Sequence, residues 1–276
     1  MILSNSSSLV SVVIPSFNHS QYIEAALQSV ANQTYKNIEL ILVDDASRDE
    51  TVPYAAKWLS NRAERFYQPR ILRNKINSGA DRTINRGINE ANGEFVAILN
   101  SDDLFSPTRI EELLTALIDN GRDVAFSKVF PINDYGSTIP ANHLPVVLRG
   151  VFDEADRSAA NYPSISFGFL EKNIAISTGN LLIRRSIFEK IGKFRPLKYV
   201  HDWDFILRSI IISEPVYVPN ELYAYRIHDS NSFSGLADVA NIETQVALQN
   251  FRNLASTSII ENKLAPLSTN WPQLVD

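Results

Sequence analysis

Short runs of interior-type residues, each stopped by a turn, constrain this chain more than anything else in it. Residues 9–14 (LVSVVI) end at Pro15, residues 38–43 (IELILV) end at Asp44-Asp45, and residues 95–99 (FVAIL) follow the turn at Gly93. Runs this short and this apolar are strands covered on both faces. Between them lie segments with helical spacing. Tyr22, Ile23, Ala26, Leu27 and Val30 recur along residues 21–31, and Thr51–Ser60 carries Pro53 in its first turn, where a missing N–H costs little. A short strand at 70–73 and a helix at 81–91 follow. Ser106-Pro107 reads as an N-cap and first helical residue ahead of a stripe of Ile110, Leu113, Leu114, Leu117 and Ile118 that ends at Asn120-Gly121. Another strand is expected at 124–129. Strands alternating with helices of about ten residues predict an α/β fold with a mostly parallel central sheet and helices on both faces.

The pattern changes beyond residue 128. Residues 131–173 are irregular and hold four prolines, which predicts long loops with a short helix. Regular signals return at 181–183, 186–191, 202–212 and 216–226. The tail has weak helical spacing at Ile242, Val246, Gln249 and Leu254. The expected organisation is one domain over residues 1–236 and a helical extension over 237–276.

Composition excludes several classes of function. Apolar residues make up 45% of the chain, too many for a disordered segment. The net charge of −5 gives no field that would draw nucleic acid. With no cysteine, a disulfide framework, a thiolate metal site and a cysteine nucleophile are all ruled out. The first eight residues show no basic and apolar pattern of a signal peptide, and no run approaches 18 apolar residues. The expected location is cytoplasmic.

Three acidic clusters fall where strands end or a helix begins: Asp44-Asp45, Asp102-Asp103, and Asp202 with Asp204. Asp is common in turns and caps, so any single cluster has a structural explanation. Three at one edge of a parallel sheet are different, because ligands of open α/β sheets bind outside the carboxyl ends of the strands. Carboxylates there can hold a hard divalent cation, which neutralises a diphosphate. The sequence contains neither G-x-G-x-x-G nor G-x-x-x-x-G-K-[ST], so phosphate handling by a glycine-rich loop is excluded.

Taken together, the motifs resemble the family 2 glycosyltransferases of GT-A fold. Val10 to Asn18 (VSVVIPSFN) is similar to their opening strand and turn, and Glu39 to Ser47 (ELILVDDAS) to their second strand. Ser101-Asp102-Asp103 resembles the metal-binding motif, His201-Asp202-Trp203-Asp204 the catalytic acidic stretch, and Tyr225-Arg226-Ile227-His228 with Ser232 the closing motif. The likeness covers roughly residues 9 to 235. It implies an inverting transfer of sugar from a nucleoside-diphosphate donor, UDP first among the candidates, to a hydroxyl of a saccharide or lipid-linked saccharide. Under this resemblance Asp202 is the general base. Pro15, Phe17, Asn18, Asp45, Arg82 and Asp102 bind the nucleotide, and Asp102, Asp103 and His228 hold Mg²⁺ or Mn²⁺. Peripheral association with a membrane is a further expectation. Two rivals stand beside this reading. A sugar-nucleotide-forming nucleotidyltransferase would need a glycine-rich loop where Pro15-Ser16-Phe17-Asn18 stands. A non-catalytic nucleotide-sugar or glycan-binding module would not need Asp202.

Overall fold

A computed structural model describes residues 8–229 and 237–274. Ser232 of the closing motif lies outside them. The first half alternates β1 (Val10–Ser16), α1 (Ile23–Ala31), β2 (Ile38–Asp44), α2 (Thr51–Ser60), β3 (Tyr67–Arg73), α3 (Ala80–Glu90) and β4 (Phe95–Ile98). Next come β5 (Leu104–Phe105), α4 (Arg109–Asn120) and β6 (Val124–Ile132). A loop-rich stretch then carries α5 (Glu154–Asn161) and the single turn α6 (Gly168–Glu171). The chain returns to the sheet as β7 (Leu182–Arg184), passes α7 (Ile187–Ile191) and α8 (His201–Ile210), re-enters as β8 (Val216–Arg226) and continues as α9 (Ala237–Thr257).

The eight strands form one mixed sheet in the order β3-β2-β1-β4-β7-β6-β8-β5. β3, β2, β1 and β4 are mutually parallel, as the alternation of elements predicts, and β6 pairs with β8 in parallel. β7 runs antiparallel to both neighbours, and β5 is antiparallel to β8. Side chains of successive strand residues point to opposite faces. Val12, Ile14, Leu40 and Leu42 therefore pack with α1, α2 and α4, whereas Val13, Ile41, Val43 and Ile98 pack with α3, α7, α8 and α9. This is an α/β sheet with a core on each face.

The end of β1 and the start of α4 differ from expectation for physical reasons. β1 runs through Pro15 to Ser16, because its ladder to β4 stops at Val13 and the proline's missing N–H is not needed on that side. α4 begins at Arg109, two residues beyond Pro107. Ser106 instead closes a turn, its carbonyl accepting from Arg109 N–H at 3.1 Å while its hydroxyl donates to the Glu221 carbonyl on β8 at 3.0 Å. Among the described residues no helix is long and apolar enough to cross a membrane.

Candidate active site at the carboxyl edge of the parallel strands

The carboxyl ends of β1, β2 and β4 open onto one edge, and the turns that leave them carry most of the expected site residues. Beyond β1, Phe17 is 39% exposed and Asn18 takes a left-handed backbone with φ of 53°. Asn tolerates that conformation when its amide bonds locally. Here its Oδ1 accepts from Arg48 N–H at 2.8 Å and its own N–H donates to Ser47 Oγ at 2.9 Å. Pro15 sits half-buried behind this turn.

Asn18 turns the chain so that His19 faces the loop after β4. His19 Nδ1 lies 2.7 Å from Ser101 Oγ and its Nε2 lies 3.9 Å from Asp102 Oδ2. From the far side of the sheet, His228 brings Nε2 to 3.1 Å from the same Asp102 oxygen. One ligand atom from each of His19, Asp102 and His228 lies within 4.8 Å of the other two. Burial, opposed by Asp102 and aided by His228, holds the His19 imidazole below its ordinary pKa, so the ring is neutral near pH 7. In the tautomer that donates from Nδ1 to Ser101, Nε2 keeps a lone pair on the Asp102 side, as a metal-binding histidine requires. Asp102 itself is held below the usual carboxylate range. Burial opposes that shift, and the His228 hydrogen bond and the charge of His19 outweigh it. Two imidazoles and a carboxylate suit a first-row ion such as Mn²⁺ better than Mg²⁺, which favours an all-oxygen shell.

Asp103, expected beside Asp102 at the metal, is turned into the fold. Its Oδ1 accepts from Arg226 N–H at 2.7 Å, and its Oδ2 accepts from Tyr223 Oη at 2.5 Å and Asn100 Nδ2 at 3.2 Å. It is 1% exposed, and burial together with the Asp102 charge pushes its carboxyl well up. Tyr223 reaches it because residue 179 is glycine, since a Cβ there would stand 1.9 Å from the tyrosine oxygen. Arg226 of the closing motif is buried. Its Nε donates to the Asp102 carbonyl at 2.6 Å, its Nη1 donates to the Asn133 and Asp134 carbonyls, and its guanidinium lies 4.7 Å above the Tyr22 ring.

The loop beyond β2 is arranged differently. Both oxygens of Asp45 are engaged by the segment leading to α3. Oδ1 accepts from Asn74 Nδ2 at 2.6 Å and from Ser78 N–H at 2.8 Å, and Oδ2 accepts from Gly79 N–H at 2.9 Å. Arg82 is exposed on α3, and its side chain makes no hydrogen bond or ion pair among the described residues.

Asp202 occupies the second position of α8 and is 6% exposed. Its Oδ1 accepts from Trp203 N–H at 2.8 Å and its Oδ2 from Asn173 Nδ2 at 2.9 Å. Asn173 opens a tight bend in which Ser177 N–H donates to the Ala175 carbonyl at 2.8 Å across Ile176, whose φ is 70°. Ser177 Oγ then accepts from Asn100 Nδ2 at 3.0 Å, which ties this loop to the strand end that carries Asp102. Burial first, then the charges of Asp103, Asp102, Tyr199 and Asp202, push the Tyr225 hydroxyl far up. Asp204, by contrast, is locked to Arg208 at 2.8 Å and Arg195 at 3.2 Å. Trp203 and Phe169 are core residues, joined by an indole N–H to carbonyl bond of 2.7 Å.

The profile of the family described as "Glycosyl transferase family 2" matches residues 11–192. The chain belongs to glycosyl transferase family 2. An uncharacterized glycosyltransferase of Rickettsia typhi is 32% identical over 82% of this chain, and the chain spans only 66% of that relative's length. The glycosyltransferase GlyG of Streptococcus pneumoniae is 25% identical over 80% of the chain and 71% of its own. Among solved structures, Staphylococcus aureus TarS 1-349 in complex with UDP-GlcNAc aligns with a TM-score of 0.65 at 19% identity, covering 96% of this chain and 78% of that TarS fragment. The mannosyltransferase PcManGT of Pyrobaculum calidifontis, in complex with GDP-Man and Mn²⁺, aligns with a TM-score of 0.62 at 15% identity, covering 91% and 76%. At these identities the structural likeness speaks for the fold.

In this family 2 chain the matched stretch stops short of Asp202 and His228, so the fold rather than the profile brings them to the site. Reading the sequence did not single out His19. The available signal was a histidine immediately after the P-S-F-N turn, one residue beyond a position already assigned to the nucleotide. Asn173 carried no signal, since it lies in the irregular stretch and meets Asp202 only through the tertiary fold.

Proposed function

We propose that the chain is an inverting, metal-assisted glycosyltransferase that moves a sugar from a nucleoside-diphosphate donor, UDP the first candidate, to a hydroxyl of a saccharide or lipid-linked saccharide, in the cytoplasm or at the inner face of a membrane. The observation that carries this reading is the convergence of His19, Asp102 and His228 at the carboxyl edge of the parallel strands. A divalent cation held by those three residues would offset the charge of the departing diphosphate. Single displacement at the anomeric carbon also needs a base for the acceptor hydroxyl. Asp202 is assigned that role because Asn173 and the Trp203 N–H orient its two oxygens, with no ion pair among the described residues to quench them. Phe17 supplies an exposed ring beside the site for the base, with Pro15 and Asn18 shaping the turn beneath it. Asp45 acts on the nucleotide by fixing the loop at Ser78-Gly79. Arg82 stays available to the diphosphate.

Calorimetric titration of UDP, GDP and dTDP, with Mn²⁺, with Mg²⁺ and with neither, tests the reading. One diphosphate should bind in a metal-dependent way, at least about tenfold tighter with Mn²⁺ than with Mg²⁺. His19→Ala and His228→Ala should each remove most of the metal dependence. Asp202→Asn should keep donor binding and lower turnover by about 10²–10⁴. Failure of every diphosphate to bind in any condition would overturn the assignment, and full turnover by Asp202→Asn would remove the base.

A further inference from the structure

The turn that delivers Asp202 is held from the far end of the chain. The backbone N–H groups of Lys198, Tyr199 and Val200 converge on the carboxylate of Glu243, with distances of 2.8 Å to Oε1 and 2.7 and 3.2 Å to Oε2. Glu243 lies in the second turn of α9, which packs along α8. Val200 is the cap residue just ahead of α8, and its N–H is one of the donors that a helix start leaves without intrahelical partners. A carboxylate from another helix accepts from that N–H and from the two residues ahead of it, and its charge suits the positive end of the α8 dipole. Asp202 follows two residues later, and Tyr199, within the clamped turn, is 39% exposed and has its hydroxyl pushed up by burial and by Asp202.

We propose that Glu243 is a positioning residue for sugar transfer: by clamping residues 198–200 it fixes the entry of α8 and so directs the Asp202 carboxylate at the acceptor hydroxyl. This inference rests on the reading of Asp202 as base. Two observations separate the role from general support of the fold. α9 is anchored by Ala247 and Phe251, buried among Phe205, Ile206 and Ile210, and Glu243 adds nothing to that apolar contact. The remaining holds on the start of α8 lie within the helix, where Asn173 Nδ2 meets Asp202 at 2.9 Å and His201 Nε2 meets Thr178 Oγ1 at 2.9 Å, whereas Glu243 holds the turn ahead of it, so its loss frees residues 198–200 and the angle at which α8 starts. The His19–Asp102–His228 cluster is built on other elements and would not move. The consequence is a split: Glu243 governs the acceptor half of the reaction and leaves the donor half alone.

The test uses the intact chain carrying Glu243→Ala, Glu243→Gln or Asp202→Asn. Donor binding is titrated with UDP-GlcNAc and GDP-mannose in Mn²⁺, and turnover is read as nucleoside diphosphate released from the donor that binds. Amide hydrogen exchange is followed over residues 198–205. Glu243→Ala should slow turnover about 10- to 100-fold, leave the donor Kd within twofold, and speed exchange of the 198–200 amides. Glu243→Gln, which keeps one acceptor oxygen, should recover part of the turnover and part of the protection. Unchanged exchange in Glu243→Ala overturns the clamp. Faster exchange with unchanged turnover, or a loss of donor affinity in proportion to turnover, overturns the positioning role. Turnover retained by Asp202→Asn fells the base reading, and the catalytic half of this proposal with it, while the exchange data still decide whether Glu243 holds the turn.

Discussion

Asp49 holds His19 in place without touching Asp102 or His228. Its Oδ1 accepts from Thr51 N–H at 3.0 Å and Thr51 Oγ1 at 2.5 Å, its Oδ2 accepts from Ser20 N–H at 3.0 Å, and Thr51 Oγ1 accepts in turn from His19 N–H at 2.9 Å. Although burial works the other way, these bonds to Thr51 and Ser20 lower its carboxyl below the ordinary 3.8. A depressed folded-state pKa stabilises the fold above the unfolded value, and that stabilisation is lost as pH falls through the folded one. Asp49→Asn should therefore cost about 1–2 kcal/mol at pH 7, and the gap to the parent should close on acidification below pH about 3.8, as read by urea unfolding across pH. Ile176 gives a second prediction at this scale. A β-branched residue at positive φ across an i to i+2 bond is strained, at a cost of about 1–3 kcal/mol. Ile176→Ala keeps the strain and loses the side chain's packing, whereas Ile176→Gly loses the packing and sheds the strain. The glycine variant should be more stable than the alanine variant by about 1 kcal/mol, the reverse of the usual order in ordered chain. Equal stability would mean that the bend stores no strain.

Among the elements, the central strands were legible because each is a continuous apolar run, and the helices because their buried stripes repeat at helical spacing. The edge strand β3 starts at Tyr67, three residues before the expected 70–73, because Gln68 takes a positive φ and the register to β2 shifts between Glu39 and Ile41. A bulge of that kind leaves no mark in hydrophobic pattern. The same limit applies to the site. Its acidic residues announce themselves at strand ends, but whether a carboxylate faces solvent or the interior depends on partners far along the chain. Tyr223 and Arg226 claim Asp103, and nothing near residue 103 in sequence foretells it. Gly87 is a position that packing alone dictates. α3 lies so close to β1 that a Cβ at residue 87 would stand 2.3 Å from Val13 Cγ1, in the middle of a fully buried strand. Gly87→Ala should cost about 2 kcal/mol through overpacking, checked as a drop in the urea midpoint with unchanged slope.

For the whole molecule, the C-terminal segment drawn as an extension is built into the main core. Ala247, Phe251 and Ala265 are buried with α8, Asn262 Nδ2 donates to the Ile210 carbonyl at 2.8 Å and to Glu214 at 3.0 Å, and Trp271 stands edge-on to Phe167 at 5.6 Å. Losing a buried phenylalanine alone costs about 3–5 kcal/mol, against about 5–15 kcal/mol for the stability of a whole domain. A chain ending at residue 236 should therefore show no cooperative transition in scanning calorimetry. A sharp transition near the parent Tm would establish the two parts as independent. The His228–Asp102 contact has one more consequence, which concerns time rather than energy. Its partners lie 126 residues apart, and His19 meets Ser101 across 82. Contacts so distant in sequence form late, after the local helices and the first parallel pairings. Refolding followed by far-UV circular dichroism should run ahead of the recovery of metal-dependent nucleotide binding. During synthesis the His19–Asp102–His228 cluster would stay open on one side until β8, emerging far behind β1, had docked beside β6.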